Sequence, residues 1–468
     1  MKKYLILFIF ALSTFIISCS KDDLEPTVAQ NKDVETGIST IDDLQGVLCG
    51  AYNRMTQFPY YGRDMIVYGE LRSDNMYANG SSGRFLTTAG MNMTTQDANP
   101  DQTWLQIYAT IASANVVISK KDVSFPGDAT EQVRKKNIVG QAYAIRALCH
   151  YDLLRLFGQQ HVTNGNNLGV PYVSEFKGSN ALPTRNTVDE VKAAIYQDLT
   201  TALTYLDPTF SDAKKQFISV YAVAAIRARV AIYFGDWSTA KTACETIINS
   251  NEFQIVSQAN YVASWSQKGP VNSIFELAFS STDQLGNTGI QFIYRGAAYG
   301  DVRVLDNIRT IFDAGDVRNS NEMINYDPAA PAYLTCMGKY PSANYSDDIF
   351  LCRYEEVILN YAEALYELNN TDPNALTTLN LIPAQRGANP YATISKDNIL
   401  LERRKELCFE GFRFDDLART HKNMPLVDAV KQTFDRPDAP VYGAYNYAFP
   451  IPQNEINANA NCVQNYGY

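Results

Sequence analysis

Three tryptophans and three histidines are few for 468 residues, and the eight cysteines include no Cys-x-x-Cys pair. His150, His161 and His421 show no metal-ligand spacing, so a structural zinc site is not expected. Basic charge is also short. Forty Lys and Arg stand against fifty Asp and Glu, giving a formal net charge of -10. A chain of that balance lacks the clustered cations that phosphate backbones require, which argues against nucleic-acid binding. There is no Walker loop, no Ser/His or Cys/His constellation and no metal-hydrolase motif. What is abundant is Tyr, with 30 residues, and Phe, with 22. Together with many Asn, they suit surfaces that stack on flat ligands and hydrogen-bond to hydroxyls or amides.

The N-terminus opens with Lys2 and Lys3 and an apolar run over residues 4–17. The run is too short for a membrane span and reads as a signal peptide over residues 1–18. It ends in "IISC", which resembles a bacterial lipobox and implies cleavage before Cys19 and lipidation there. More than one acyl chain gives stable anchoring, at about 0.8 kcal/mol per buried methylene. Residues 19–40 are polar and aperiodic and read as a tether. The seven other cysteines are odd in number and lie in part within apolar helical patterns, so buried free thiols are expected.

From residue 41 to 468 the chain reads as a single, mainly α domain. "DEVKAAIYQDLTTALTYL" sets Val191, Ile195, Leu199, Ala202 and Leu206 on one stripe, with Thr187 and Glu190 as a capping box. "YAVAAIRARVAIYFGDWSTAKTACETII" is a helix, a turn at Gly235 and a second helix, with Ala228 and Ala240 where the two must approach closely. Ala364 and Ala375 take the same places in a further pair. Helix pairs near 41–121, 130–206, 213–251 and 353–387 predict about four tetratricopeptide-like hairpins stacked in a superhelix. Two Gly-, Asn- and Tyr-rich insertions, near 58–100 and 252–349, interrupt them, and the second holds the strand-like "SIFELAFS". Long irregular insertions in a compact chain usually carry function.

Within the insertions, Tyr60, Tyr61, Tyr68 and Tyr77 alternate with Arg72, Asp74, Asn75 and Asn79, and Tyr294, Arg295, Tyr299 and Arg303 cluster around glycines. These, with Trp265, are the candidate ligand contacts. Rings would stack on sugar faces and polar groups would take hydroxyls. The scarcity of loop Trp favours a short or decorated glycan, or a peptide, over a long glucan.

"ERRKELCFEGFRFDDLAR", residues 402–419, has more than half of its residues charged. As a helix it would pair Glu410 with Arg413 and Asp415 with Arg419. Glu406 and Glu410 lie on one helix face, so they are poorly placed to flank a glycosidic bond as acid and base. A structural charge network joining the last helices to the insertions is the better reading, with Gly411 either breaking the helix or admitting another backbone.

Four stretches, "NPDQTWLQIYATIASANVVI", "AYAIRALCHYDLLRLFG", "ERRKELCFEGFRFDDLAR" and "FPIPQNEINANANCVQNYGY", resemble the SusD/RagB family of Bacteroidetes surface lipoproteins, in that family's order. The resemblance implies four tetratricopeptide-like pairs beside a looser ligand-binding half. It implies capture of oligosaccharide, or in some members peptide, for a SusC-like TonB-dependent outer-membrane transporter. It implies no catalysis and no cofactor. The chain is shorter than the starch-binding type, so trimmed binding loops are expected.

Overall fold

The computed structural model describes residues 37–178, 181–295, 299–432 and 440–468. The expected signal peptide, Cys19 and nearly all of the tether lie outside the described residues. The first helix, α1 (Ile41–Met55), begins at a capping box. The Thr40 hydroxyl accepts from the Asp43 amide, and the Asp43 carboxylate accepts from the Thr40 amide. The main helices that follow are α2 (Asp64–Leu71), α3 (Ala98–Ser119), α4 (Ala129–Phe157), α5 (Val188–Tyr205), α6 (Val220–Phe234) and α7 (Trp237–Ile248). After the second insertion come α8 (Tyr354–Leu368), α9 (Pro373–Leu379), α10 (Lys396–Leu407) and α11 (Arg413–Arg419).

Apart from α2, the helices as far as α9 form one run in which each packs on the next, α1 on α3, α3 on α4 and so on to α8 on α9. The apolar stripes explain why. In α5, Val191, Ile195, Leu199 and Ala202 are fully buried, and the Thr187–Glu190 capping box is present as the sequence predicts. Small residues sit at the tight crossings. Ala228, Ala240, Ala364 and Ala375 have no exposed surface, and Ala231, Ile232, Ala240 and Ala364 pack as one cluster. Gly235 takes φ +72 at the α6–α7 turn, a conformation cheap only for glycine. Six of the seven free cysteines outside the N-terminal segment are buried, and Cys49 is exposed.

Three two-stranded antiparallel ladders organise the insertions: β1 (Met76–Ala78) with β3 (Val302–Val304), β2 (Ser273–Leu277) with β6 (Ile349–Arg353), and β4 (Ile324–Asp327) with β5 (Ala330–Cys336). The first ladder matters most for function, because it zips the two insertions together, with Tyr77 opposite Arg303. "SIFELAFS" supplies β2, every residue of which is buried. Strand β6 runs straight into α8, so the second insertion ends on the helical scaffold.

Glu276 on β2 is fully buried, and both its carboxylate oxygens accept from the Gly269 amide. Burial raises its pKa from 4.5 to about 8, with the Asp348 carboxylate adding to the rise. The folded state therefore holds a proton between those values that the unfolded chain releases, so this contribution to stability is complete below about pH 4.5 and declines as pH rises toward 8. Glu276→Gln is expected to flatten that decline in urea-denaturation midpoints measured across the same window. An unchanged slope would rule Glu276 out as its source.

The charged stretch at 402–419 is not one helix. Phe409 and Gly411 take φ +70 and +87, which ends α10 at Leu407 before α11 starts at Arg413. The expected local pairs are therefore not formed, and apart from Arg419–Asp416 the partners are distant. Arg413 binds Asp74, and Asp415 binds Arg155, while Arg419 binds Asp416 and Glu363. Gly411 also admits another backbone, since a Cβ at Gly69 of α2 would lie 2.0 Å from the Gly411 carbonyl oxygen. Around Glu406 three guanidinium groups converge. Arg353 donates at 2.7 Å, Arg386 at 2.9 and 3.0 Å, and Arg318 at 3.0 Å. Glu410 accepts twice from Arg353 at 2.8 Å and once from Lys339 at 2.5 Å. Glu402 accepts from Arg318, and Glu355 from Arg386. Arg318 and Lys339 belong to the second insertion, Arg353 and Glu355 to the β6–α8 junction, and Arg386 to the segment after α9. The stretch is thus the structural network inferred from its charge density, closed by residues far away in the chain.

Candidate ligand-binding site

Ten of the thirteen candidate contacts are interior residues. Tyr60 and Tyr61 share the Asp152 carboxylate at 2.6 and 2.7 Å, their rings 4.6 Å apart. Tyr68 meets the Thr103 hydroxyl at 2.9 Å. Arg72 is sandwiched between Phe414 and Phe449. Asp74 binds Arg404 and Arg413, and Asn75 donates to Glu70 and accepts from Arg404. Tyr77 is buried on β1, and Arg303 donates to Thr335. Tyr294 donates to the Phe409 carbonyl, and Trp265 packs between Tyr261 and Phe350. These ten are therefore held in packing and framework contacts, with little surface to offer a ligand. The physical reason lies in α2, where all eight residues are buried, acids included. Tyrosines alternating with charges look alike whether the charges meet a sugar or, as here, are satisfied inside the protein, Asp64 by Arg63, Glu70 by Asn75 and the Gly411 amide, and Asp74 by Arg404 and Arg413.

Asn79, Arg295 and Tyr299 do reach the surface, and the structure gathers them with residues that sequence reasoning passed over. Beyond the β1–β3 ladder, the Asn79 amide donates to the Asp301 carbonyl and its side chain to the Gly300 carbonyl, both at 2.9 Å. This brings the Ser81–Gly83 turn of the first insertion against Asp301 of the second. The Asp301 carboxylate accepts from the Ser82 hydroxyl at 2.5 Å, while its other oxygen, 3.5 Å from Arg84, makes no hydrogen bond. Arg84 lies over the Tyr299 ring at 4.3 Å. Phe292, on the short helix Ile290–Tyr294, lies 5.1 Å from Tyr299 and 5.7 Å from Tyr345.

All three rings are half-exposed. Tyr345 is held there by its own loop. Arg295 donates to the Pro341 and Ser342 carbonyls at 3.1 and 3.0 Å, and Asp347 accepts from the Ser342 amide. Burial raises the Asp347 carboxyl above its ordinary range, against that amide bond. Arg295 is therefore a positioning residue. Signals for Phe292 and Asp301 were present in "QFIYRGAAYGDVR"; nothing local marks Arg84 or Tyr345, which join the cluster only through tertiary packing. Three partly exposed rings bordered by Arg84, Asn79 and Ser82, with buried Asp301 holding the Ser82 turn from beneath, offer apolar faces and both donors and acceptors, the chemistry that a polyhydroxylated ring requires.

Among the described residues, no group of three or more His, Cys, Asp or Glu is arranged to hold a metal ion, and no helix is long and apolar enough to cross a membrane.

Known proteins resemble this chain over most of its length. The family described as "SusD family" matches residues 334–468, and one described as "Starch-binding associating with outer membrane" matches residues 23–232. A SusD-like protein of Formosa agariphila, P2, is 28% identical over 99% of both chains. A crystal structure from Bacteroides vulgatus, described as a "Putative sugar binding protein", superposes with a TM-score of 0.83 at 27% identity, covering 92% of this chain and all of that one. A laminarin-binding SusD-like protein superposes with a TM-score of 0.74 at 22% identity, covering 92% and 100%. Its likeness is one of fold, as are the mainly helical architecture and few short strands that this chain shares with the Bacteroides vulgatus protein. Matches to both ends of the chain and a relative aligned along its whole length place it: the chain belongs to the SusD family.

Proposed function

We propose that this protein captures oligosaccharide at the Phe292–Tyr299–Tyr345 patch and passes it to a SusC-like TonB-dependent outer-membrane transporter. In this reading Cys19 carries the lipid that tethers the protein at the cell surface, and the helix pairs form a tetratricopeptide-like superhelix that carries the patch. The observation that supports it best is the convergence of both insertions, through β1–β3, on half-exposed rings rimmed by Arg84 and the Ser82 turn. A SusD-like carbohydrate-binding protein of Bacteroides vulgatus and a laminarin-binding protein among the similar structures favour glycan over peptide. The reading includes no bond chemistry. Glu406 and Glu410, the pair an acid–base mechanism would need, are each committed to buried cations.

Calorimetric titration with laminari-, malto-, cello- and xylo-oligosaccharides, alongside a set of oligopeptides, tests the ligand class. Binding of at least one saccharide and of no peptide is expected. Binding of peptides alone would replace the glycan reading with an oligopeptide one.

A further inference from the structure

A second concavity, of about 480 Å³, opens between the α6–α7 turn, the end of α11 and the loop at Tyr442. It shares no lining residue with the aromatic patch and belongs to the helical half of the molecule. Its size falls within the roughly 300–1,000 Å³ of small-ligand sites. One wall is a built set of rings. The His421 imidazole stacks on Tyr442 with centroids 4.5 Å apart and planes at 25°. His161 fixes that wall from behind, with Nδ1 3.2 Å from the Tyr442 hydroxyl and Nε2 3.0 Å from the Tyr233 hydroxyl. His421 itself holds φ +58. A non-glycine residue in that conformation is uncommon, and such residues concentrate at ligand sites.

The polar groups of the pocket narrow the ligand class. Lys396, 4.9 Å over the half-buried Trp237 ring, is bound by Glu363 and Glu367 at 2.6 Å each. Arg419 is bound by Glu363 and Asp416. Both cations are thus already balanced, and Asp397 faces the same pocket as the third cation, Lys422, so the lining carries no net positive charge to favour a phosphate or polyanion. His161 has both nitrogens within hydrogen-bond reach of tyrosine hydroxyls, so the two histidines do not form a metal pair. Gln160 leaves a buried side-chain oxygen without a hydrogen-bond partner while its amide nitrogen donates to Tyr233 and to the Leu154 carbonyl. Stacked rings, balanced charges and exposed Lys422 describe a site for a neutral, hydroxyl-rich ring.

We propose that this pocket is a second saccharide site, in which the His421–Tyr442 stack and Trp237 take the faces of one or two sugar units. The ligand class rests on the glycan reading above, while the site is independent of it.

The histidines allow a direct test. His150 has no exposed surface and His161 is half-buried, whereas His421 is exposed. Imidazole resonances of the Tyr299→Ala protein, with the His421 signal assigned by His421→Ala, are recorded as laminaritriose, maltotriose, cellotriose, xylotriose and mannotriose are added in turn. A saturable shift of the His421 signal with at least one sugar is expected, and Trp237→Ala should weaken that binding about tenfold. A His421 signal that no sugar moves overturns the inference. So does a shift seen in the unsubstituted protein but lost in Tyr299→Ala, because it reports the patch. Failure of the patch reading shows separately, as saccharide binding to the unsubstituted protein that Tyr299→Ala leaves unchanged.

Discussion

Glu406→Ala is expected to destabilise the protein by about 3–5 kcal/mol, the cost of stranding buried charge by removing one partner of an ion network. Glu406 has no exposed surface and accepts from Arg318, Arg353 and Arg386. Burial alone would push its carboxyl up, but Arg386, Arg353 and Arg318 override that and hold it well below the ordinary carboxylate range. Its contribution is therefore present above the unfolded value near 4.5 and is lost as pH falls below it, the opposite sense to Glu276. Without the carboxylate, Arg386 keeps Glu355, Arg353 keeps Glu410 and Arg318 keeps Glu402, but each loses charge and hydrogen bonds in a site that excludes water. The consequence goes beyond stability, because these arginines join the second insertion to α8 and α10. Urea denaturation should show a lower midpoint at unchanged slope. Asp42→Ala, which breaks an exposed pair with Arg134, supplies the contrast, at no more than about 1 kcal/mol. Equal losses in the two variants would mean that the buried network does not lock the insertion.

Tyr299→Ala is expected to weaken saccharide binding about thirtyfold, roughly 2 kcal/mol, as removal of a central aromatic contact does. Tyr299 is the ring that touches both neighbours of different origin, Phe292 from its own insertion and Arg84 from the other. Its loss also frees Arg84 from its stacked position, so the rim loses order along with the platform. The ring is half-exposed, and folding stability should change by no more than about 0.5 kcal/mol. Calorimetry against the saccharide selected from the panel measures the first quantity and urea denaturation the second. A loss of affinity accompanied by an equal loss of stability would assign Tyr299 to packing.

The helical scaffold was legible because its signals are local. The α5 stripe, the Thr187 capping box and the small residues Ala228 and Ala240 announce themselves within one or two turns of sequence. The charge density at 402–419 announced a network but not its members, because Arg318, Arg353 and Arg386 come from other elements. The candidate site was legible by region and not by residue. Aromatic and charged residues alternate in residues 60–75 as they would at a sugar surface. Asp74 instead meets Arg404 and Arg413, and the two acids of the buried helix α2 are satisfied inside, Asp64 by Arg63 and Glu70 by Asn75 and the Gly411 amide. Arg84 and Tyr345 carry no local mark at all. They become a site only when β1 pairs with β3 and Arg295 ties down the loop at residues 341–345.

The most direct test of the central claim, that two insertions locked onto a helical scaffold make one sugar-binding surface, is a crystal structure with the bound saccharide. The account predicts a sugar ring against Phe292, Tyr299 and Tyr345, with a hydroxyl on Arg84 of the first insertion. A saccharide bound with the patch left bare, or against one insertion alone, would contradict it.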